Sequence, residues 1–280
     1  MKTFAETVEK TNTLLVVDAL NLGFRWKHSG QKVFAEDYVE VVNSLAKSYK
    51  AKYVVIASDK GKSSFRLAVY PGYKSGRAEK FALQTEEEKL AFEEFFKEFH
   101  RALNLLAEKY PVFAHQGCEA DDIAAYLVQL RKSLGISHIW LVSSDKDWDL
   151  LVGRNVSRFS YVTRKETTVD TWGDHYKCAL EQYLDYKCLI GDTGDSIPGV
   201  EGVGPVKALT LLNTYGSIYE IMGAIPIDSK YVYIKNLNKF GIEGLERNIK
   251  LMDLPSYCKE ALGDNANIIK EAMIEYVSRD

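Results

Sequence analysis

The stretch Gly117-Cys118-Glu119-Ala120-Asp121-Asp122 places three carboxylates in four consecutive positions. Ile123, Leu127, Leu130 and Leu134 follow at helical spacing, so the stretch is expected to open a helix with one apolar stripe. At about 100° per residue, Glu119 falls roughly 50° from the centre of that stripe, Asp122 roughly 110°, and Asp121 roughly 150°, toward water. One acidic residue at a helix start is an ordinary cap, favoured by the dipole. Three repel one another, and a cation resolves the excess.

Further carboxylates end apolar runs. Leu14-Leu15-Val16-Val17 runs into Asp18, Tyr53-Val54-Val55-Ile56 ends near Asp59, and His138 to Val142 leads to Ser143-Ser144-Asp145-Lys146-Asp147. Val112-Phe113-Ala114 precedes the opening stretch. These runs read as buried strands. With a helix marked by Tyr38, Val42, Leu45 and Tyr49 between the first two, they give βαβ units and a parallel sheet. Ligands bind at the C-terminal edge of such a sheet, where these carboxylates are expected to collect. Asp147 points to a similar side if its segment is extended. The glycine-rich Ile190-Gly191-Asp192-Thr193-Gly194-Asp195 adds two more. Each alone is an ordinary cap or turn residue. Nine in one place, left unpaired, would be costly in repulsion and desolvation. Oxygen ligands without His or Cys favour Mg²⁺ or Mn²⁺ over Zn²⁺, and so many suggest two or more ions. Two ions about 3.5–4 Å apart can clamp a phosphodiester.

The elements that must position these groups are sketched by the 280 residues, 46% apolar and 27% charged, which suit one α/β domain and a smaller helical one. Net charge is −3, but without the nine carboxylates the balance is +6. From Lys60 to Lys80, six basic residues (Lys60, Lys62, Arg66, Lys74, Arg77, Lys80) face Glu79 alone. An acidic centre beside a basic strip suits a metal-dependent enzyme acting on a polyanion. Residues 1–11 form a polar N-terminal tail without a signal region, and no apolar run approaches membrane length. The four cysteines lack CxxC spacing and read as reduced thiols of a cytoplasmic protein.

Asn21 to Arg25 reads as a turn. Lys60 to Arg77, rich in glycine, proline, serine and lysine, reads as a mobile basic loop. Phe92, Phe95, Phe96, Phe99, Leu103, Leu106 and Tyr110 mark a long helix whose stripe is core and whose other face is acidic through Glu86, Glu87, Glu88, Glu93, Glu94 and Glu98. Residues 158–162 read as a further strand. Helices dominate beyond Trp172, with a boundary near residue 175. In Gly199 to Lys207, Gly202 and Gly204 bare the backbone between two helices, so that amides and a helix N-terminus can take a phosphate without reading bases.

Together the motifs resemble the flap endonuclease / 5′-3′ exonuclease family, and more closely the phage-type stand-alone 5′ nucleases and the 5′-nuclease domain of bacterial DNA polymerase I. They are Val-Asp18-Ala-Leu-Asn21-Leu-Gly, Asp59-Lys-Gly-Lys-Ser-Ser-Phe-Arg66, Tyr73-Lys74-x-x-Arg77, Glu119-Ala-Asp121-Asp122, Ser144-Asp145-Lys-Asp147-Trp148-Asp149 and Gly191-Asp192-x-x-Asp195-x-Ile-Pro-Gly-Val-x-Gly-Val-Gly204, in this order from about Leu14 to Lys207. The resemblance implies a Rossmann-like (PIN-like) nuclease domain over 12–175 with a helical arch at about 60–110. It also implies a helical DNA-binding domain over 176–280 with a helix-hairpin-helix at about 190–215. It implies one ion held by Asp18, Asp59, Glu119, Asp121 and Asp122, and a second site drawing on Asp145, Asp147, Asp192 and Asp195. Lys74 matches the family's catalytic lysine, Tyr73 an aromatic stacking near the scissile nucleotide, and Arg77 an arch residue. Lys60, Lys62, Arg66, Lys80, Gly202, Gly204 and Lys207 are expected to contact DNA, and the resemblance implies that the carbonyls of Val200 and Val203 can hold a monovalent cation such as K⁺. One departure is Val206, where phage relatives carry a basic residue; Lys230 and Lys235 can compensate. The implied protein is a Mg²⁺- or Mn²⁺-dependent nuclease cutting branched or 5′-ended DNA in replication or repair. It is expected to be a monomer without membrane association, in the host cytoplasm if phage-encoded. The alternatives are a non-catalytic branched-DNA binding protein and a phosphatase using Asp145 or Asp147 as nucleophile.

Overall fold

The computed structural model describes residues 12–279, the side chains of residues 78–80 excepted. The polar tail expected over residues 1–11 and the Lys80 side chain lie outside the described residues. The chain forms two compact units. The first gathers the chain up to Ser63, Gln84–Val169 and the chain from Cys258 onward; the second is Ser64–Leu83 with Asp170–Tyr257.

The first unit is built on a six-stranded sheet of order β3-β2-β1-β4-β5-β6. Its strands are β1 (Thr13–Asp18), β2 (Tyr53–Ala57), β3 (Val112–Phe113), β4 (His138–Val142), β5 (Val156–Ser160) and β6 (Lys165–Thr167). The first five run parallel, with Leu15 opposite both Val54 and Trp140, and β6 pairs antiparallel to β5. Every residue of β1, β2, β4 and β5 is buried, as apolar runs covered by helices on both faces must be. The chain moves outward from β1 through β2 to β3, then crosses to β4 on the other side of β1. The gap between β1 and β4 is therefore the topological switch point, where an open α/β sheet forms its ligand crevice.

Several expectations need correction here. Asn21 to Arg25 is no turn: the helix Ala19–Ser29 starts directly after β1, because the Asp18 side chain caps it at Asn21 N–H. The helix Glu86–Ala107 opens with a Thr85/Glu88 capping box. It buries Phe95, Phe99, Ala102, Leu103 and Leu106 against Trp26, Phe34 and Tyr38, so its stripe is core as expected. Its opposite face is not uniformly solvated. Glu98 accepts from Phe34 N–H (3.1 Å) and Ala35 N–H (3.0 Å), supplying the helix Ala35–Ser48 with the cap its own Phe34 cannot make.

Beyond residue 175 the chain is not one helical domain. The helix Asn265–Ser278 belongs to the sheet unit: Tyr276 hydroxyl accepts from Val54 N–H, and Tyr53 hydroxyl donates to Val277 carbonyl. The spacing of Ile269 and Met273 shows that a face is buried, but not against what.

The second unit packs helices around Leu189, Val200, Val203, Leu211, Leu212, Ile218, Leu237, Leu245 and Ile249. The expected mobile basic loop is instead the helices Ser64–Val69 and Ser75–Ala82, with Tyr73 buried in this core. A small hairpin pairs Gly191–Asp192 with Ile197–Pro198. Two glycines make it possible: a Cβ on Gly199 would lie 2.1 Å from Ile190 carbonyl oxygen, and Gly191 has φ +74°. Among the described residues, no helix is long and apolar enough to cross a membrane.

Candidate functional site

At the C-terminal edge of the first unit's sheet, Asp18 ends β1 and is 6% exposed. Its Oδ1 accepts from Asn21 N–H (3.1 Å) and its Oδ2 from Ser143 hydroxyl (2.6 Å). Burial pushes its carboxyl up to about 8. The charges of Asp59 and Asp145 push the same way, against the two hydrogen bonds. Asp59 and Asp145 therefore lie close enough to Asp18 for their charges to act on it.

Asp59 Oδ1 accepts from Ala120 N–H (2.7 Å) and so caps the helix Ala120–Leu130 from a neighbouring loop. That frees Glu119, the N-cap by position, which instead accepts from Ser63 N–H and is buried. Asp122 is fully buried. Asp121 does not reach into water: Trp148 Nε1–H donates to its Oδ1 at 2.6 Å, and it is half-buried. The single stripe expected for this helix is also too narrow, since Ala124, Ala125 and Tyr126 are buried as well. Asp145 caps the 3-10 turn Lys146–Leu151 through Asp147 N–H (2.9 Å). The Asp147 segment is thus a turn and not extended, because the Asp145 side chain pulls the backbone round.

In the second unit, Asp192 and Asp195 lie on the glycine hairpin. Asp192 pairs with the buried Lys187 (3.3 Å). Asp195 pairs with Arg77 (2.8 Å) and Lys74 (3.7 Å) and accepts from Tyr73 hydroxyl (3.1 Å). Lys74 is buried and takes the left-handed conformation, φ +53°, with its N–H on Asp195 carbonyl (2.8 Å). The expected stacking aromatic, Tyr73, has its ring in the core. Arg66, expected on a DNA phosphate, is buried and donates to Leu251 carbonyl. Lys60 and Lys62 are exposed, and Lys60 backbone is pinned to the Gly117-Cys118 turn.

Val200 and Val203 bury their side chains, and Val200 carbonyl accepts Val203 N–H (2.9 Å). Gly202 needs its left-handed φ of +76°, and Gly204 caps the helix Pro205–Tyr215 with Pro205 at its first position. Lys207 donates to Gly202 carbonyl (2.8 Å), and Val206 is 77% exposed.

Spacing found the carboxylates but missed their holders: Ser143, Asn21 (whose backbone N–H donates to Asp18), Trp148 and Lys187. Ser143, Asn21 and Trp148 left a trace, as members of the stretches quoted above; Lys187 left none. Among the described residues, no three carboxylates stand at ligand spacing around one point. The nine expected in one place appear as seven in the first unit and two in the second. The donor set still fits a hard divalent cation. It is all oxygen, and Asp18 is buried beside two carboxylates that oppose its ionisation.

An open α/β sheet with carboxylates at the C-terminal edge of its strands defines the class of α/β proteins that bind their ligands at that edge. Two family models match in succession: 5′-3′ exonuclease, N-terminal resolvase-like domain, over residues 13–177, and 5′-3′ exonuclease, C-terminal SAM fold, over residues 178–256. The flap endonuclease of Escherichia phage T5 is 44% identical over 92% of this chain and 88% of its own length. DNA polymerase I of Deinococcus radiodurans is 29% identical over 77% of this chain and 22% of its own length. A crystal structure of the bacteriophage T5 flap endonuclease, as a pseudo-enzyme–product complex with DNA and metal ions, matches with a TM-score of 0.90 and 41% identity. That match covers 95% of this chain and 99% of that one. The chain belongs to the 5′-3′ exonuclease family and is a 5′ nuclease, as its motifs led us to expect.

Proposed function

We propose that this protein is a divalent-metal-dependent, structure-specific 5′ nuclease that hydrolyses DNA phosphodiesters near single-strand/duplex junctions, with Mg²⁺ as its usual ion. The observation that carries this reading is Asp18, a buried carboxylate whose ionisation Asp59 and Asp145 oppose and a cation would favour. The phage T5 complex with DNA and metal ions supports it.

Asp18, Asp59, Glu119, Asp121 and Asp122 would hold one ion, and Asp145 and Asp147 would serve a second. When bound, the ions polarise the phosphodiester and lower the pKa of the attacking water. The protein's own part is to aim the carboxylates. Asp18 is held by Ser143 and Asn21, Asp59 by Ala120 N–H, and Asp121 by Trp148. Lys74, already held beside a carboxylate, supplies positive charge to the phosphate as it becomes more negative. Lys60, Lys62 and the hairpin residues Gly202, Gly204 and Lys207 contact the DNA backbone without reading sequence. Lys207 lies 5.0 Å from the Tyr233 ring, near the exposed Lys230 and Lys235 at the start of the helix Val232–Met252, and this group stands in for the basic residue missing at Val206. The Val200 and Val203 carbonyls hold a monovalent cation when duplex is bound. The enzyme acts as a monomer.

A 5′-flap duplex with separate 5′ and 3′ labels tests the function. Cutting near the junction that needs Mg²⁺ is expected. Intact flap in Mg²⁺ and Mn²⁺ with tight branch binding would leave a non-catalytic binding protein. Release of phosphate from small monoesters in preference to DNA would leave a phosphatase.

A further inference from the structure

Trp148 is fully buried in the first unit, and its indole N–H points at Asp121 Oδ1, 2.6 Å away. The 3-10 turn that carries it is fixed at both ends. Asp145 caps its start. At its end the buried Asp149 takes two hydrogen bonds from Arg158, at 2.5 and 2.7 Å, and Arg158 also donates to Ser143 carbonyl (2.9 Å). The hydroxyl of the same Ser143 holds Asp18. An indole N–H is a donor only, on a ring that cannot turn without repacking the core. A carboxylate bonded to it keeps one orientation, whereas one facing water samples several rotamers.

We propose that Trp148 is a positioning residue for metal binding. Its N–H presets Asp121 as a ligand and ties it to the turn that carries Asp145 and Asp147. This rests on the reading of Asp121 as a metal ligand. Partners that orient ligand side chains are typically worth about 10–100-fold in metal affinity, and that is the loss expected here.

Mn²⁺ binding to the full chain, measured by calorimetry without DNA, tests it with Trp148→Phe, Asp121→Asn, their double variant, and Trp140→Phe as a control for lost core volume. Trp148→Phe is expected to weaken Mn²⁺ about tenfold or more, and Trp140→Phe to leave it unchanged. The double variant should bind no more weakly than Asp121→Asn, because Trp148 acts through that carboxylate. Wild-type affinity in folded Trp148→Phe, or a double variant weaker than Asp121→Asn by the full Trp148→Phe factor, would overturn the proposal. Wild-type affinity in Asp121→Asn would instead remove the ligand reading itself. Should Trp148→Phe fail to fold, the chain's four tryptophans give four indole N–H signals in ¹⁵N-labelled wild type. The Trp148 signal, assigned by replacing the other three in turn, must move on adding Mg²⁺; if it stays in place the proposal fails.

Discussion

Asp18 meets two demands with one side chain. It caps the helix that follows β1, and it sits buried beside Asp59 and Asp145 where a cation is needed. Cap and ligand were rival readings in the sequence; the fold shows that one does not exclude the other, since Asp18, Asp59 and Asp145 each cap a helix or turn at the sheet edge. Residue type and position at a strand end made this legible. Orientation was not legible, as Asp121 shows: its helical angle assumes water on the far side, where the fold puts Trp148 from a turn 27 residues away. Lys74 is the residue whose role is most exposed to test. Lys74→Ala is expected to lower single-turnover rate about 10²–10³-fold while flap affinity changes little; equal losses in both would end its catalytic assignment. His138 carries a pH effect. Burial, and then the charge of Arg131, lowers its pKa from 6.5 to about 4. The folded state therefore prefers neutral histidine. The stability this confers is present above about pH 6.5 and is lost as pH falls toward 4, by roughly 3 kcal/mol at most. Urea unfolding across pH 4–7 should show a shallower acid limb in His138→Gln than in wild type.

At the scale of elements, β1, β2 and β4 were readable because they are mostly apolar runs, and β4 fell where the sequence put it, whereas β5, Val-Ser-Arg-Phe-Ser, begins at Val156, two residues before the expected start. The stretch from Lys60 to Arg77 reads as a mobile loop because of its glycine, proline and lysine, yet it is helical over Ser64–Val69 and from Ser75 on. There Arg66 and Lys74 are internal hydrogen-bond donors, and Leu67, Val69 and Tyr70 pack against the core. The 3-10 turn after β4 depends on the buried Asp149–Arg158 pair. Arg158→Leu would leave Asp149 charged and buried without that partner, and is expected to cost about 3–5 kcal/mol in denaturant unfolding. A loss under about 1 kcal/mol, the range of exposed pairs, would mean the pair does not hold the turn.

At the scale of the molecule, the order of carboxylate motifs along the chain announced the family, but the return of the last helix to the sheet was hidden, because periodicity marks a buried face and not its partner. Tyr276 bonds to β2 through Val54 N–H, and Ile269 and Met273 of the same helix are buried. Removing residues 258–280 is therefore expected to lower the thermal midpoint sharply or prevent soluble folding; an unchanged midpoint would contradict that packing. The central claim is that the sheet-edge carboxylates perform metal-dependent cleavage and do not merely stabilise the fold. Single-turnover cleavage of a 5′ flap at saturating Mg²⁺ and enzyme, wild type beside Asp145→Asn/Asp147→Asn, tests it most directly. The double variant is expected to bind the flap as tightly as wild type and to cut it at a rate reduced by several orders of magnitude. A double variant that still cuts at the wild-type rate would contradict it.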